Sequence, residues 1–244
     1  MKSNMAEICI YPDIKDLACA AAERVVAASK AAIKRRGRFV LALSGGTTPA
    51  EMYRLLATDD FIGRLDWAHV HVFWGDERCV PPEDPDSNYR MARLAFLDQV
   101  PLPKANIHRI AGELNPRQAA GLYEQVLRDF FDPKPAAFDL ALLGLGEDGH
   151  TASLFPGSAA LHENGRWVVE NYSEKMLAWR ITLPPPIINA AREVVFLVNG
   201  KDKANVLRRV LKEARQPQVL PAQLIQPTSG RLFWLIDSEA SSEL

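Results

Sequence analysis

The sequence predicts one doubly wound, Rossmann-like α/β domain over residues 1–244, its mostly parallel sheet covered by helices on both faces. Two observations predict it. Runs such as "RFVLAL" and "VVFLV" are apolar at consecutive positions, so both faces of the strand must be buried, as in a parallel sheet. These short runs alternate with longer amphipathic segments, the pattern of βαβ units. A chain of 244 residues is long enough for one large domain of this kind, and no repeat, low-complexity tract or linker divides it.

In chain order, short apolar runs predict strands at Glu7–Ile10, Arg38–Leu43 and Val70–Trp74. Helices are expected between them over Ile14–Arg36 and Pro49–Ala57. The second helix carries a start signal: in "TTPAEMYRLL" Thr48 caps, and Pro49 takes the first helical position, where its missing N–H costs nothing. A helix over Asn88–Phe96 follows, with Ser87 as its N-cap, and another over Pro116–Phe131. The remaining strands are Phe138–Leu143, Trp167–Val169, Val194–Val198 and Leu232–Ile236, with a helix over Lys203–Ala214 before the last. Proline clusters at 81–85, 101–103 and 184–186 punctuate the loops.

Composition removes several function classes. The formal net charge is −1, so no overall basic field favours nucleic acid, and an anion must be captured locally. No apolar run approaches the ~20 residues that span a bilayer. The N-terminal "MKSNMAEICIYPD" lacks the apolar core of a secretory signal. Cys9, Cys19 and Cys79 are few and widely spaced, which suits reduced thiols in the cytoplasm rather than a disulfide framework or a zinc site.

Ligands of open parallel sheets bind outside the carboxyl ends of the strands. Four unusual loops fall at that place: "SGGTTP" after Leu43, "GDERCVP" after Trp74, "GLGEDGH" after Leu143 and "NGK" after Val198. In the first, Gly45 and Gly46 let the backbone approach a ligand, and free N–H groups at the helix start favour an anion. Ser44, Thr47 and Thr48 add hydroxyl donors, although a plain capped turn would look similar. Lys201 follows the last loop as a phosphate counter-charge or a solvated lysine. Asp76 and Arg78 come directly off a buried strand: Arg78 is suited to clamp a phosphate or carboxylate, Asp76 to orient a base or bind sugar hydroxyls. Arg180 precedes a short β-like run, and the residues alone leave it undecided between a site and a surface position.

"GLGEDG" matches the dinucleotide fingerprint GxGxxG, and Glu170 even lies near the distance at which that fold places an acidic residue. The reading fails because Pro156-Gly157 ends any helix within a few residues of Gly149. What remains is a glycine-rich loop that delivers His150 to the ligand edge, an imidazole able to take and return a proton near neutral pH. Asp148 is a candidate to fix its tautomer, although residues this close in sequence often point apart. Ser153 lacks the GxSxG elbow of a nucleophile.

Taken in order, "LSGGTTP", "WGDERCVPPEDPDSNYRMA", "GLGEDGHTASLFPG", "RITLPPPIINAA", "NGKDKA" and "LPAQLIQP" span nearly the whole chain. The set resembles the soluble bacterial type of the 6-phosphogluconolactonase family, part of a larger group with glucosamine-6-phosphate isomerase/deaminase. The deaminases carry an acidic residue just after their Gly-His; "TASLFP" has none, which is the lactonase form. The resemblance implies hydrolysis of 6-phospho-D-glucono-1,5-lactone to 6-phosphogluconate, in the oxidative pentose phosphate pathway. It implies His150 as general base, with Asp76 assisting at the reacting end. Ser44, Gly45, Gly46, Thr47, Arg78, Arg180 and Lys201 become candidates for phosphate and substrate binding. No metal, cofactor, nucleic acid, membrane or obligatory protein partner is called for, only the small sugar-phosphate lactone. The alternatives are an amino-sugar-phosphate isomerase or deaminase, or a non-catalytic sugar-phosphate sensor.

Overall fold

The computed structural model describes residues 6–132 and 135–244. Residues 1–5, where the stretch read for a secretory signal begins, lie outside them. In chain order the elements are β1 (Glu7–Tyr11), α1 (Ile14–Arg36), β2 (Phe39–Leu43), α2 (Thr47–Leu56), α3 (Asp59–Ile62), β3 (Val70–Trp74) and β4 (Asp76–Arg78). Then come α4 (Asn88–Ala92), α5 (Pro116–Phe131), β5 (Leu140–Leu143), β6 (Val169–Ser173), β7 (Ala178–Thr182), α6 (Pro185–Asn189), β8 (Glu193–Val198), α7 (Ala204–Lys212) and β9 (Arg231–Asp237).

Six strands form a wholly parallel sheet in the order β1-β9-β8-β5-β2-β3. Every residue of β2 and β5 is buried. Successive side chains point to opposite faces, so both faces of the central strands are covered, and the predicted fold class stands. Sequence and structure agree closely for α1, where Asp13 caps the N-terminus through hydrogen bonds from the Lys15 and Asp16 N–H groups (2.8 and 3.0 Å) and Gly37 closes the C-terminus at φ 74°. They agree also for β3 and for α5, which begins with Pro116 behind an Asn115 cap.

Four expectations are corrected. Helix α2 starts at Thr47 behind Gly46, not behind a Thr48 cap, and no side chain caps it. The strand expected at 167–169 runs instead from Val169 to Ser173 and belongs to a separate antiparallel sheet, β4-β7-β6. Asp76–Arg78, expected as loop, is one strand of that sheet. Gly75 is the hinge between the sheets: its N–H donates to the Leu43 carbonyl of the large sheet (2.9 Å), and its carbonyl accepts the Leu183 N–H (2.9 Å). The expected helix over 88–96 is α-helical only to Ala92 and then widens into a π-turn over Arg93–Leu97.

Two buried tyrosines fix the strand ends. The Tyr53 hydroxyl accepts the Ser44 N–H (3.0 Å) and donates to the Ser44 carbonyl (2.9 Å). Tyr123 does the same at Trp74, with distances of 2.8 and 3.0 Å. Burial pushes both phenols up, so they stay neutral and keep both roles. Each tyrosine thereby satisfies backbone groups that a strand loses where its sheet partner ends. Among the described residues no helix is long and apolar enough to cross a membrane.

Candidate active site

The four strand-end loops meet around a cavity of about 250 Å³. Its walls include Ser44–Pro49, Asp76, Arg78, Asn88, Gly144–Gly146, His150 and Lys203. Of the residues singled out from sequence, Ser44, Gly45, Gly46, Thr47, Asp76, Arg78 and His150 therefore share one wall system. Arg180 and Lys201 do not line it.

His150 sits on the turn after β5. Its Nδ1 lies 2.5 Å from Asp148 Oδ1, and its backbone N–H reaches the same oxygen at 3.2 Å. The hydrogen bond from His150 holds the Asp148 carboxyl down to about 2, with the Lys175 ammonium 3.9 Å away adding to it. A carboxylate that stays ionised only accepts, so Nδ1 carries the proton and Nε2 of the neutral ring keeps its lone pair. The ring packs 5.1 Å from Phe155, and the side chain remains 29% exposed, open to solvent and ligand.

Because folding depresses the Asp148 pKa, the stability it contributes is present above its ordinary value of 3.8 and is lost as pH falls toward about 2. Acid unfolding of Asp148→Asn is expected to show a shallower loss of stability across that window than the parent chain. An unchanged slope would remove the ion pair from the account.

The rest of the loop is locked by polar contacts. Thr151 Oγ1 donates to the Gly144 carbonyl (2.8 Å), and Ser153 Oγ donates to Asp76 Oδ2 (2.6 Å). Between them Ala152 lines the cavity at φ 47°, a left-handed backbone that a non-glycine residue holds only when its surroundings enforce it. Ser153 is buried with its hydroxyl committed to Asp76, which agrees with the absence of a nucleophile elbow.

Asp76 is 8% exposed, and Asn88 Nδ2 donates to its carbonyl at 3.0 Å. Asn88 occupies the space a side chain at residue 45 would need: a Cβ on Gly45 would lie 1.9 Å from Asn88 Oδ1. Glu77, missed from sequence, is the hub of this wall. It accepts N–H groups from Arg78 (2.8 Å), Asn88 (2.7 Å) and Tyr89 (2.8 Å) and the Ser87 hydroxyl (3.1 Å). It thereby satisfies the first turn of α4 and ties that helix to β4. Burial pushes its carboxyl up, and the three backbone donors oppose that.

Arg78 stands directly opposite Arg180 in the β4–β7 register. Burial first, and the Arg78 charge second, lower the Arg180 pKa. Like charges facing each other across a sheet are unfavourable, and an anion beside them relieves the cost. Arg180 itself donates to the Trp179 carbonyl (3.0 Å), one strand away from the cavity wall.

On the other side, Gly46 at φ 107° turns the chain into α2. The first N–H groups of that helix carry no intrahelical partner and lie on the cavity wall. Lys201 is exposed on a single 3₁₀ turn, and Lys203, two residues on, lines the cavity instead. Lys203 Nζ lies 2.9 Å from Asp202 and 3.6 Å from Glu147.

Residues 12–234 match the family described as glucosamine-6-phosphate isomerases/6-phosphogluconolactonase. The chain is 47% identical over 217 residues to a Synechocystis sp. protein named 6-phosphogluconolactonase, covering 87% of this chain and 88% of that protein. A Nostoc sp. protein of the same name is 41% identical over 239 residues, with 96% and 97% covered. Among solved structures, 6-phosphogluconolactonase from Trypanosoma brucei superposes with a TM-score of 0.88 at 29% identity, covering 99% of this chain and 100% of that one. With nearly its whole length matched, this chain belongs to the glucosamine-6-phosphate isomerase/6-phosphogluconolactonase family.

Proposed function

We infer that this chain hydrolyses 6-phospho-D-glucono-1,5-lactone to 6-phosphogluconate, with His150 as the general base. The observation that carries this reading is the His150–Asp148 pair, aimed into a cavity that also holds a bare helix N-terminus and Lys203. The names of the Synechocystis and Nostoc relatives supply the substrate.

The phosphate binds at the Ser44–Thr47 turn, where N–H groups and hydroxyls of Ser44, Gly45, Gly46 and Thr47 meet it, with Lys203 as counter-charge. Lys203 takes the part that sequence gave to Lys201; exposed on its turn, Lys201 adds only to the local field. Arg78, with Arg180 across from it, adds positive charge for the anionic substrate and product. Anchoring at the phosphate sets C1 of the lactone beside Nε2 of His150. Water attacks C1 while its proton passes to Nε2, and Asp148 stabilises the imidazolium that forms. The C1–ring oxygen bond then breaks, and Nε2–H returns the proton to the departing oxygen. Asp76, held by Ser153 and Asn88, is set to position a substrate hydroxyl at the reacting end.

Lys203→Ala is expected to raise KM for the phosphorylated lactone about 10- to 100-fold, the value of one charge-assisted hydrogen bond, with little change in kcat. Unphosphorylated gluconolactone should not register the change; an equal loss on both substrates would contradict the phosphate anchor. Acid release above the spontaneous rate, from freshly generated lactone and in the presence of chelator, tests the reaction itself. Ammonia release from glucosamine 6-phosphate instead would favour the deaminase reading, against which "TASLFP" lacks the carboxylate. Cys9, Cys19 and Cys79 are unpaired, as a reducing cytoplasmic setting allows.

A further inference from the structure

The opposite end of the sheet carries a second concave surface that the reaction does not use. Arg38 precedes β2, Asp139 precedes β5, Arg192 precedes β8, Arg231 begins β9, and Arg35 and Arg36 end α1. Two adjoining cavities of about 500 and 840 Å³ open among them, sharing Arg36, Asp139 and Arg192 in their walls.

Asp139 is 6% exposed and works as a pin. It accepts the Val40 N–H (2.9 Å), Arg36 (2.7 Å) and Arg192 Nε (3.3 Å). Each guanidinium has five N–H donors, so this one carboxylate leaves most of those on Arg36 and Arg192 free. Arg38 lies 4.2 Å over the Phe130 ring, with one long hydrogen bond of 3.4 Å to the Phe130 carbonyl. Among the described residues neither Arg35 nor Arg38 forms an ion pair, whereas Arg231 is answered by Glu193 at 2.5 Å. The α1 dipole favours Arg35 and Arg36 at its C-terminus, but it does not account for Arg38 and Arg192 at strand starts. The chain's net charge is −1, so this surplus of positive charge is local. Ala28, Ala31, Val40, Phe131 and Ala137 supply an apolar floor.

We propose that this arginine-lined groove is a second anion site, which binds a phosphorylated small molecule. Phosphoryl oxygens meet the forks of Arg35, Arg36, Arg38 and Arg192, and the apolar part of the ligand lies on the alanine floor. Planar guanidinium forks suit the geometry of a phosphoryl group, and the cavities are of the size that takes a small molecule. Lying at the amino ends of the strands, the groove is separated from His150 by the length of the sheet, so its ligand does not displace the lactone.

Calorimetric titration of the full chain with pyrophosphate and with ADP, at constant ionic strength, tests this. Saturable binding of either probe is expected, unchanged in Lys203→Ala and weakened tenfold or more in the double variant Arg35→Gln/Arg38→Gln. That variant touches no carboxylate partner and should keep the parent's thermal unfolding, kcat and KM; Arg35→Gln alone is the milder second test. Tighter binding of ADP than of pyrophosphate assigns part of the recognition to the apolar floor, and equal binding assigns it to the phosphoryl groups; both support the site. Three results would overturn it: no saturable binding at millimolar probe, loss of binding in Lys203→Ala alone, or a dimer by sedimentation that the double variant dissolves.

Discussion

His150→Ala is expected to lower kcat about 10²- to 10⁴-fold and leave KM near its starting value, the size typical of a lost general base. The side chain is 29% exposed and packs against one aromatic ring among the described residues, Phe155, so its removal should leave folding intact. In the proposed reading, substrate binding rests on other cavity residues, at the Ser44–Thr47 turn and Lys203. The loss therefore falls on the transition state, where the attacking water has no acceptor for its proton and the departing oxygen no donor. Near-normal turnover in a folded variant would reject His150 as the base.

Gly146→Ala is expected to approach the same loss without touching a reacting group. A Cβ at residue 146 would lie 2.1 Å from both Cε1 and Nδ1 of His150. The backbone has no room to yield: the Gly146 N–H donates to the His150 carbonyl (2.9 Å), and its own carbonyl accepts the Gly149 N–H (2.9 Å). The imidazole must swing away, giving up the Asp148 hydrogen bond and its aim into the cavity. Misplacement of a catalytic group by about 1 Å costs on the order of 10²-fold, so kcat should fall at least that far with the fold preserved. The double variant with His150→Ala should be no slower than His150→Ala alone, since both changes remove one function. Independent, multiplying losses would show that the ring position is not what Gly146 protects.

Elements whose signal is local were legible in the sequence. The apolar period of Ile14–Arg36, the Asn115-Pro116 start of α5 and the buried run Val70–Trp74 each follow from neighbouring residues. The small antiparallel sheet was not, because Asp76-Glu77-Arg78 shows no apolar alternation and its partner strand lies about a hundred residues further on. The missing cap on α2 is informative in the same way. A side-chain cap would satisfy the N–H groups that here lie on the cavity wall, so in the proposed reading the rule fails where the substrate phosphate takes the cap's place. Lys201 and Lys203 could not be told apart because they share one 3₁₀ turn, where residues two apart are rotated by roughly 240°. Glu77, Tyr53 and Tyr123 act through buried backbone groups, which no spacing in the sequence marks.

The most direct measurement is acid release from freshly made 6-phosphogluconolactone and from unphosphorylated gluconolactone, by the parent chain, His150→Ala and Lys203→Ala side by side. An imidazole base acting beside an anchored phosphate predicts that His150→Ala slows both substrates by the same factor. Lys203→Ala should erase only the preference for the phosphorylated one. If His150→Ala retained the parent rate on the phosphorylated lactone, or Lys203→Ala kept the preference intact, that chemistry would be contradicted.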